Sequence, residues 1–228
     1  FVAYEQSNDN DATFSASRLN FLSTQLPELS QGGTDPTDYG NSGSSLQTTR
    51  QNYFGRINYD YAGKYLLEFQ LRRDGSSIFG PGHRFGTFPG VSAGWRLSQE
   101  NFMKDQDWIN ELKLRASYGR LGNDKVSPYQ YLDNFSYSSG IFATGASQNQ
   151  LGINYNLLAN PNITWEVSNK YNIGLDGTIL KHWTFEFNLF QDKRANILLP
   201  LNASIPGVTG IASSQIPAEN IGKAQNLS

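Results

Sequence analysis

The chain has 228 residues with 22 Gly, 22 Asn, 9 Pro and no Cys; 13% of it is aromatic and 17% charged, against roughly 25% charged in an ordinary globular domain. The length allows one large domain or two small ones, and the Tyr-, Asn-, Gly- and Ser-rich, charge-poor composition is that of a β-protein. A net charge of −2 and a pI near 5.7 exclude a broad electrostatic footprint for nucleic acid, and the absence of Cys excludes disulfides, thiolate zinc sites and Cys nucleophiles. No stretch approaches the ~18 apolar residues of a membrane-spanning helix. No secretory signal precedes Phe1 and the only methionine is Met103, so the chain is expected to be a processed product or a piece of something longer.

In chain order, residues 5–50 read as a long polar connection, with one weak helix over Arg18–Leu29 ended by Gly32-Gly33. Period-two alternation then begins. Tyr53, Ile57, Tyr59 and Tyr61 oppose Arg56, Asn58 and Asp60. After a tight turn at Ala62-Gly63, Tyr65, Leu67, Phe69 and Leu71 oppose Glu68, Gln70, Arg72 and Asp74, with Leu66 as the apolar exception. Residues 75–86 are a Gly-rich loop. Val91, Ala93, Trp95 and Leu97 oppose Ser92, Gly94 and Arg96. Ser98 is a candidate helix cap, giving one or two turns before Ile109. Leu112, Leu114, Ala116 and Tyr118 oppose Lys113, Arg115, Ser117 and Gly119. A long loop over 120–164 has room for a hairpin around Tyr129–Tyr137. Tyr171, Ile173, Leu175 and Ile179 oppose Lys170, Asn172, Asp176 and Thr178. Past a turn at 180–182, Trp183, Phe185, Phe187 and Leu189 oppose Thr184, Glu186, Asn188 and Asp192, and 194–218 is again long.

Tight turns alternating with long loops are how outer-membrane barrels are built. Alternation by itself fits two architectures. In a soluble β-sandwich the apolar face is core; in a membrane barrel it meets lipid and the polar face lines the lumen. Three features favour the barrel. Tyr53–Tyr61 runs about 26 Å at ~3.3 Å per residue, roughly 20 Å along the normal at a ~40° tilt, near the ~25 Å apolar band of such barrels. The apolar faces start or end in Tyr53, Tyr61, Tyr65, Tyr118, Tyr171 and Trp183, as interfacial girdles do. Arg56, Arg72, Arg96 and Arg115 all lie on the polar face, consistent with a barrel, where a lipid-facing Arg at the midplane costs about 2–4 kcal/mol, and equally with a solvated sheet face. The residues expected to face the lumen are Arg56, Asn58, Asp60, Glu68, Gln70, Arg72, Arg96, Arg115, Asn172, Asp176, Glu186 and Asn188.

The run from Arg72-Arg73-Asp74-Gly75-Ser76-Ser77 through Gly80-Pro81-Gly82-His83-Arg84-Phe85-Gly86 to Phe88-Pro89 resembles a signature of the SusC/RagA-type TonB-dependent outer-membrane transporters of Bacteroidetes. Tyr53–Tyr61, Ser92–Leu97, Leu112–Gly119, Gly122-Asn123-Asp124, Asn162–Glu166 and Asn172–Asp176 follow in the order expected of that family, so the resemblance spans roughly residues 50–195. It implies an all-β, antiparallel, up-and-down transmembrane barrel of roughly 22 strands, of which residues 1–228 would be a partial wall of seven or eight strands, without plug or TonB box. It also implies import of oligosaccharides or peptides across the outer membrane, a SusD-like surface lipoprotein as partner, and release driven by the TonB complex. In that frame the short turns at 62–64 and 180–182, with 98–110, face the periplasm, and 5–50, 75–86, 120–164 and 194–218 face outside.

Other chemistries find little support. Gly80–Gly86 has the wrong spacing for a phosphate loop and precedes a strand rather than a helix. His83 and His182 lie in different connections, which argues against a shared metal site or a Ser-His-Asp arrangement. Asp74 with Glu166 is an imaginable carboxylate pair, but chemistry follows only from a known separation. No catalytic residue, metal or cofactor is expected. Phe79, Tyr129, Tyr131 and Phe142 are loop aromatics able to stack on a sugar ring, although packing of loop on loop accounts for them better. The alternative function is a soluble carbohydrate-binding β-module.

Overall fold

A computed structural model describes residues 1–139, 151–201, 208 and 210–228. Its strands are β1 (Val2–Arg18), β2 (Tyr39–Tyr61), β3 (Tyr65–Ser76), β4 (Phe85–Arg96), β5 (Ile109–Asn123), β6 (Asn134–Ser139), β7 (Leu151–Leu157), β8 (Glu166–Ile179), β9 (Trp183–Pro200) and β10 (Ala218–Leu227). Eight of them form one antiparallel sheet in the order β1-β2-β3-β4-β5-β8-β9-β10, and β6 pairs with β7 as a separate hairpin. This is the expected all-β up-and-down arrangement, and the sheet is open rather than closed.

Residues fall into two compact units, Ser7–Thr49 and the remainder. In the first, the expected long polar loop is instead largely strand. Its alternation is invisible because both faces carry small polar residues. They pair across the ladder, Thr13 Oγ1 with Ser44 Oγ at 2.7 Å and Ser15 Oγ with Ser42 Oγ at 2.6 Å. The helix expected at Arg18–Leu29 does not form; a single 3₁₀ turn covers Leu29–Gln31. Asn20 takes a left-handed φ of 54°, and Pro27 both lacks an N–H and steers Leu26 away from helical geometry.

In the second unit, the helix expected after Ser98 is two 3₁₀ turns, Leu97–Gln99 and Asn101–Met103. The two short hairpins close through left-handed pairs: Ala62 and Gly63 (φ 55° and 65°), and Leu180 and Lys181 (φ 50° and 61°). Two successive positive φ angles give the primed turn that matches strand twist. Asp60 Oδ1 accepts from Gly63 N at 2.8 Å and fixes the first turn.

The second layer that a soluble sandwich requires is missing among the described residues. Only seven hydrophobic side chains there are buried, and six of them cluster in the loops and strand ends around 78–88 and 163–167. Along the sheet, Ile57, Phe69, Val91, Leu114, Ile173 and Leu189 stay exposed. An apolar surface of this extent is a binding face for another apolar medium, which removes the soluble sandwich as an account of the alternation.

The apolar face is bordered by aromatic rows. At the short-turn end, Tyr61 stacks on Tyr65 and Tyr65 on Trp95, each at 6.3 Å. At the long-loop end, Tyr4 packs on Tyr53 and Tyr118 on Tyr171, each at 5.1 Å. The short-turn row follows one register line, Tyr61 opposite Tyr65 and Tyr65 opposite Trp95, whereas the long-loop row runs obliquely. The register line through Tyr171 passes Tyr118, Val91 and Phe69 and meets β2 at Ile57, four residues from Tyr53. Four residues are about 13 Å of strand and four strand spacings about 19 Å, so strands cross a horizontal band at a tilt of roughly 35°, as barrel strands do.

One acidic residue organises the short-turn border. Glu100 lies between the two 3₁₀ turns and accepts from Tyr65 Oη at 2.7 Å, Lys64 Nζ at 2.9 Å and Trp95 Nε1 at 3.1 Å. The Tyr65 hydroxyl first, then Lys64 and Trp95, hold its carboxyl down to about 2, well below the ordinary 4.5. A lowered folded-state value means the node stabilises above pH ~4.5 and is lost as pH falls toward 2. The melting temperature of the full-length protein is expected to fall between pH 5 and 2 more steeply than that of Glu100→Gln. Parallel curves would show that the node contributes nothing.

Candidate functional site: the polar face of the sheet

Cross-strand register settles which side chains share a face. One row runs Asn58, Glu68, Ser92, Ser117, Asn172; the next Arg56, Gln70, Gly90, Gly119, Lys170, Asp192. On the other side of the first lie Asp60, Leu66, Gly94, Arg115, Gly174, Asn188, and then Arg96, Lys113, Asp176, Glu186. Arg72 pairs between Phe54 and Phe88 on the same side. All twelve residues singled out by the alternation therefore occupy one face.

Five of them meet at one guanidinium. Arg115 donates from Nε to Asp176 at 3.0 Å, from Nη2 to Glu186 Oε1 at 2.5 Å and Asn188 Oδ1 at 2.7 Å, and from Nη1 to Asn172 Oδ1 at 3.4 Å. Asn188 donates in turn to Glu186 at 2.8 Å. Glycine makes room for this: a Cβ on Gly174 would lie 2.7 Å from Arg115 Cζ. Gly90 likewise leaves room for Gln70. Alternation alone does not reveal the hub, because the contacts join three strands up to 73 residues apart. Arg115→Ala leaves Asp176 and Glu186 facing each other uncompensated. It is expected to lower stability by about 1–2 kcal/mol, a partly exposed network being worth less than a buried one. Neutralising both carboxylates in the same chain restores most of the loss; an unchanged melting temperature in Arg115→Ala contradicts the hub.

The other members are divided. Arg56 lies 3.6 Å from Glu68 and donates to Gln70 at 3.4 Å. Arg72 donates to both oxygens of Asp74 at 3.2 Å. Asp60 and Arg96 serve the 62–64 turn, Arg96 donating to Gly63 O at 3.4 Å. Between these groups lies a concavity of about 550 Å³ lined by Asn58, Glu68, Ser92, Lys113, Arg115, Ser117 and Asn172. Its floor is small residues and its walls carry both charge signs, a surface suited to polar, hydrogen-bonding contact.

The loop aromatics fare differently. Phe79 has no exposed surface; its ring packs on Trp165 at 5.2 Å, and Phe88 packs on the same indole at 5.4 Å. A ring enclosed in this way cannot stack on a substrate, so the structure corrects Phe79 from ligand contact to loop core. Tyr131 packs against that core, with Tyr129 at 6.1 Å from it, both half-buried. Phe142 lies outside the described residues. The exposed aromatics at this end, not singled out by the sequence, are Phe135 and Tyr155, paired at 4.6 Å on the β6–β7 hairpin, with Tyr137 beside them.

Asparagines lock the loop core. Asn220 Nδ2 donates to Thr164 O at 2.9 Å and Asn196 O at 2.7 Å while its Oδ1 accepts from Thr164 N at 2.9 Å. Asn160 Nδ2 donates to Ala218 O at 2.7 Å, and Trp165 Nε1 donates to Arg84 O at 3.2 Å. The connections 75–86 and 158–165 are thus one packed body.

Residues 3–227 match the family model of the TonB dependent receptor-like β-barrel. The chain belongs to the TonB-dependent receptor β-barrel family. A TonB-dependent receptor of Formosa agariphila is 34% identical over 226 residues, covering 97% of this chain and 21% of that protein. The TonB-dependent receptor SusC of Bacteroides thetaiotaomicron is 35% identical over 138 residues, 58% of this chain and 13% of its own length. Among solved structures, the RagAB peptide importer in its closed-closed state superposes with a TM-score of 0.83 over 99% of this chain and 24% of that one, at 23% identity, a likeness of fold. The chain spans about a fifth of the length of the receptors it matches. Among the described residues the eight-stranded sheet is open, with β1 and β10 as its outer strands.

Proposed function

We propose that the chain is part of the barrel wall of a SusC-type importer of the Gram-negative outer membrane, taking up oligosaccharides or peptides. The single observation that supports it most is the uncovered apolar face, bordered on both edges by aromatic rows, in a chain of this family. On this reading the twelve polar-face residues line the lumen, and residues 1–228 are a partial barrel. The short turns face the periplasm, and the 75–86 and 158–165 body with the β6–β7 hairpin faces outside. A SusD-like lipoprotein closes the outer mouth and the TonB complex supplies the energy, both through the complete protein. The exposed Phe135, Tyr137 and Tyr155 replace Phe79 as candidates for contact with substrate or lipoprotein. No step in this account breaks a bond.

The test uses the complete gene product. A strain lacking the gene is expected to lose growth on one oligosaccharide or peptide mixture as sole nutrient. Complementation restores growth only when TonB is present, and the protein fractionates with the outer membrane and needs detergent. A complete chain found soluble in buffer overturns the reading.

A further inference from the structure

Many polar side chains of the polar face are used up on one another. Arg115 is taken by Asp176, Glu186, Asn188 and Asn172, and Arg72 by Asp74. Asn58, Ser92, Lys113 and Ser117 are not. Among the described residues none of these four side chains has a hydrogen bond or an ion pair. Glu68 has the loose 3.6 Å contact with Arg56. Asn172 accepts from Arg115 through Oδ1 at 3.4 Å, which leaves its Nδ2 free to donate.

These six residues border one concavity of about 550 Å³, and register explains its shape. Asn58, Glu68, Ser92, Ser117 and Asn172 form one row across β2, β3, β4, β5 and β8. Lys113 stands two rows nearer the short turns, opposite Arg96. Gly94 occupies the row between and supplies no side chain; a Cβ there would come to 3.2 Å from Lys113 Cε. None of the six is buried, so a solute reaches all of them.

A cavity of this size with several convergent polar groups is the form that small-molecule sites take. The row offers a polar group on every strand, a pitch of ~4.8 Å. That pitch suits the recurrence of hydroxyl groups along linked pyranose rings. It does not suit an extended peptide, whose residues recur at ~3.3 Å and whose alternate side chains need pockets. Ser92, Ser117 and Asn58 can each donate and accept, as sugar hydroxyls do. Lys113 and Glu68 bring one charge of each sign, which favours a ligand without net charge. We propose that Asn58, Glu68, Ser92, Lys113, Ser117 and Asn172 form a transit subsite for a neutral oligosaccharide on the barrel wall. The subsite deepens the importer reading and rests on it. An open groove of this kind binds weakly, as a station on a path of passage has to.

The test uses the complete receptor in its own outer membrane. The deletion strain, complemented with parent or variant, is given partial hydrolysates of starch, laminarin, xylan and mannan, or a tryptic digest of casein. The parent is expected to grow on one of the sugar hydrolysates. In Asn58→Ala/Lys113→Met/Ser117→Ala, initial uptake of that hydrolysate, tritium-labelled, falls about tenfold, as the loss of one or two hydrogen bonds to substrate predicts. The receptor level stays the same, and so does retention of the label by cells lacking TonB, which reports binding at the outer mouth. Ser117→Leu, which fills the concavity, lowers uptake likewise, and Lys113→Arg/Ser117→Thr takes up at the parent rate. Parent-rate uptake in the triple variant, retention that falls in step with uptake, growth on the casein digest alone, or growth on none of the supplies overturns the subsite while the barrel stands. New vancomycin sensitivity of the triple variant also overturns it, because the concavity then seats another part of the receptor. A complete chain found soluble in buffer removes the importer reading and the subsite together.

Discussion

Leu67→Arg is expected to abolish assembly of the full-length receptor in the outer membrane, while Glu68→Arg, one residue on, assembles. The two positions are adjacent in sequence and opposite in environment. Leu67 lies mid-strand on the apolar face between Tyr59 and Ala93 and is half-exposed among the described residues. An Arg at such a depth costs about 2–4 kcal/mol against lipid, comparable to much of a marginal folding free energy. Glu68 lies between Asn58 and Ser92 on the polar face, and its ion pair among the described residues is the 3.6 Å contact with Arg56. Losing that pair costs at most about 1 kcal/mol. Heat-modifiable gel mobility of outer-membrane fractions reads the outcome. Equal assembly of both variants would reverse or erase the face assignment on which the lumen rests.

Phe79→Ala is expected to unlock the body formed by the 75–86 and 158–165 connections without dissolving the sheet. Its ring is fully enclosed, against Trp165 and beside Ile78, Phe88 and Ile163. Removing a buried Phe side chain costs about 3–5 kcal/mol, through lost transfer energy and the cavity left behind. Gly86 and Gly122 show how tightly the neighbouring Phe88 is seated, since a Cβ on either would clash with its ring. The strands below are joined by their own ladders, so the damage stays in the loops. Protease added to intact cells is expected to cut within 77–86 or 158–165 in Phe79→Ala and to leave the parent intact. A parent-like digestion pattern would mean that those connections are held by hydrogen bonds such as Asn220–Thr164 alone.

Sequence alternation determined a great deal of this molecule. A strand's side chains point to opposite faces with period two, so Tyr65–Leu71 and Glu68–Arg72 announce two unlike media on the two sides. That local rule carried the existence of β3, β4, β5, β8 and β9, the tight turns and the membership of all twelve polar-face residues, while β4, β5 and β9 run beyond the alternating stretches that marked them. It was silent where both faces meet the same medium: β1 and the first half of β2 carry Ser, Thr and Asn on both sides and read as loop. Ser98, a capping residue by type, sits inside the first 3₁₀ turn and caps nothing, and without the hydrophobic period a helix needs for packing only 3₁₀ turns form.

What the tertiary structure alone decided are contacts across large sequence separations. The convergence of Asp176, Glu186, Asn188 and Asn172 on Arg115 depends on register between β5, β8 and β9. The burial of Phe79 depends on Trp165 arriving from a connection 86 residues later. The placing of Arg73, Arg120 and Lys193 on alternate strands of one sheet, β3, β5 and β9, is visible only once pairing sets the strand order. Each strand's sequence specifies its two faces; which strands share a row is a property of pairing, and no single strand contains it.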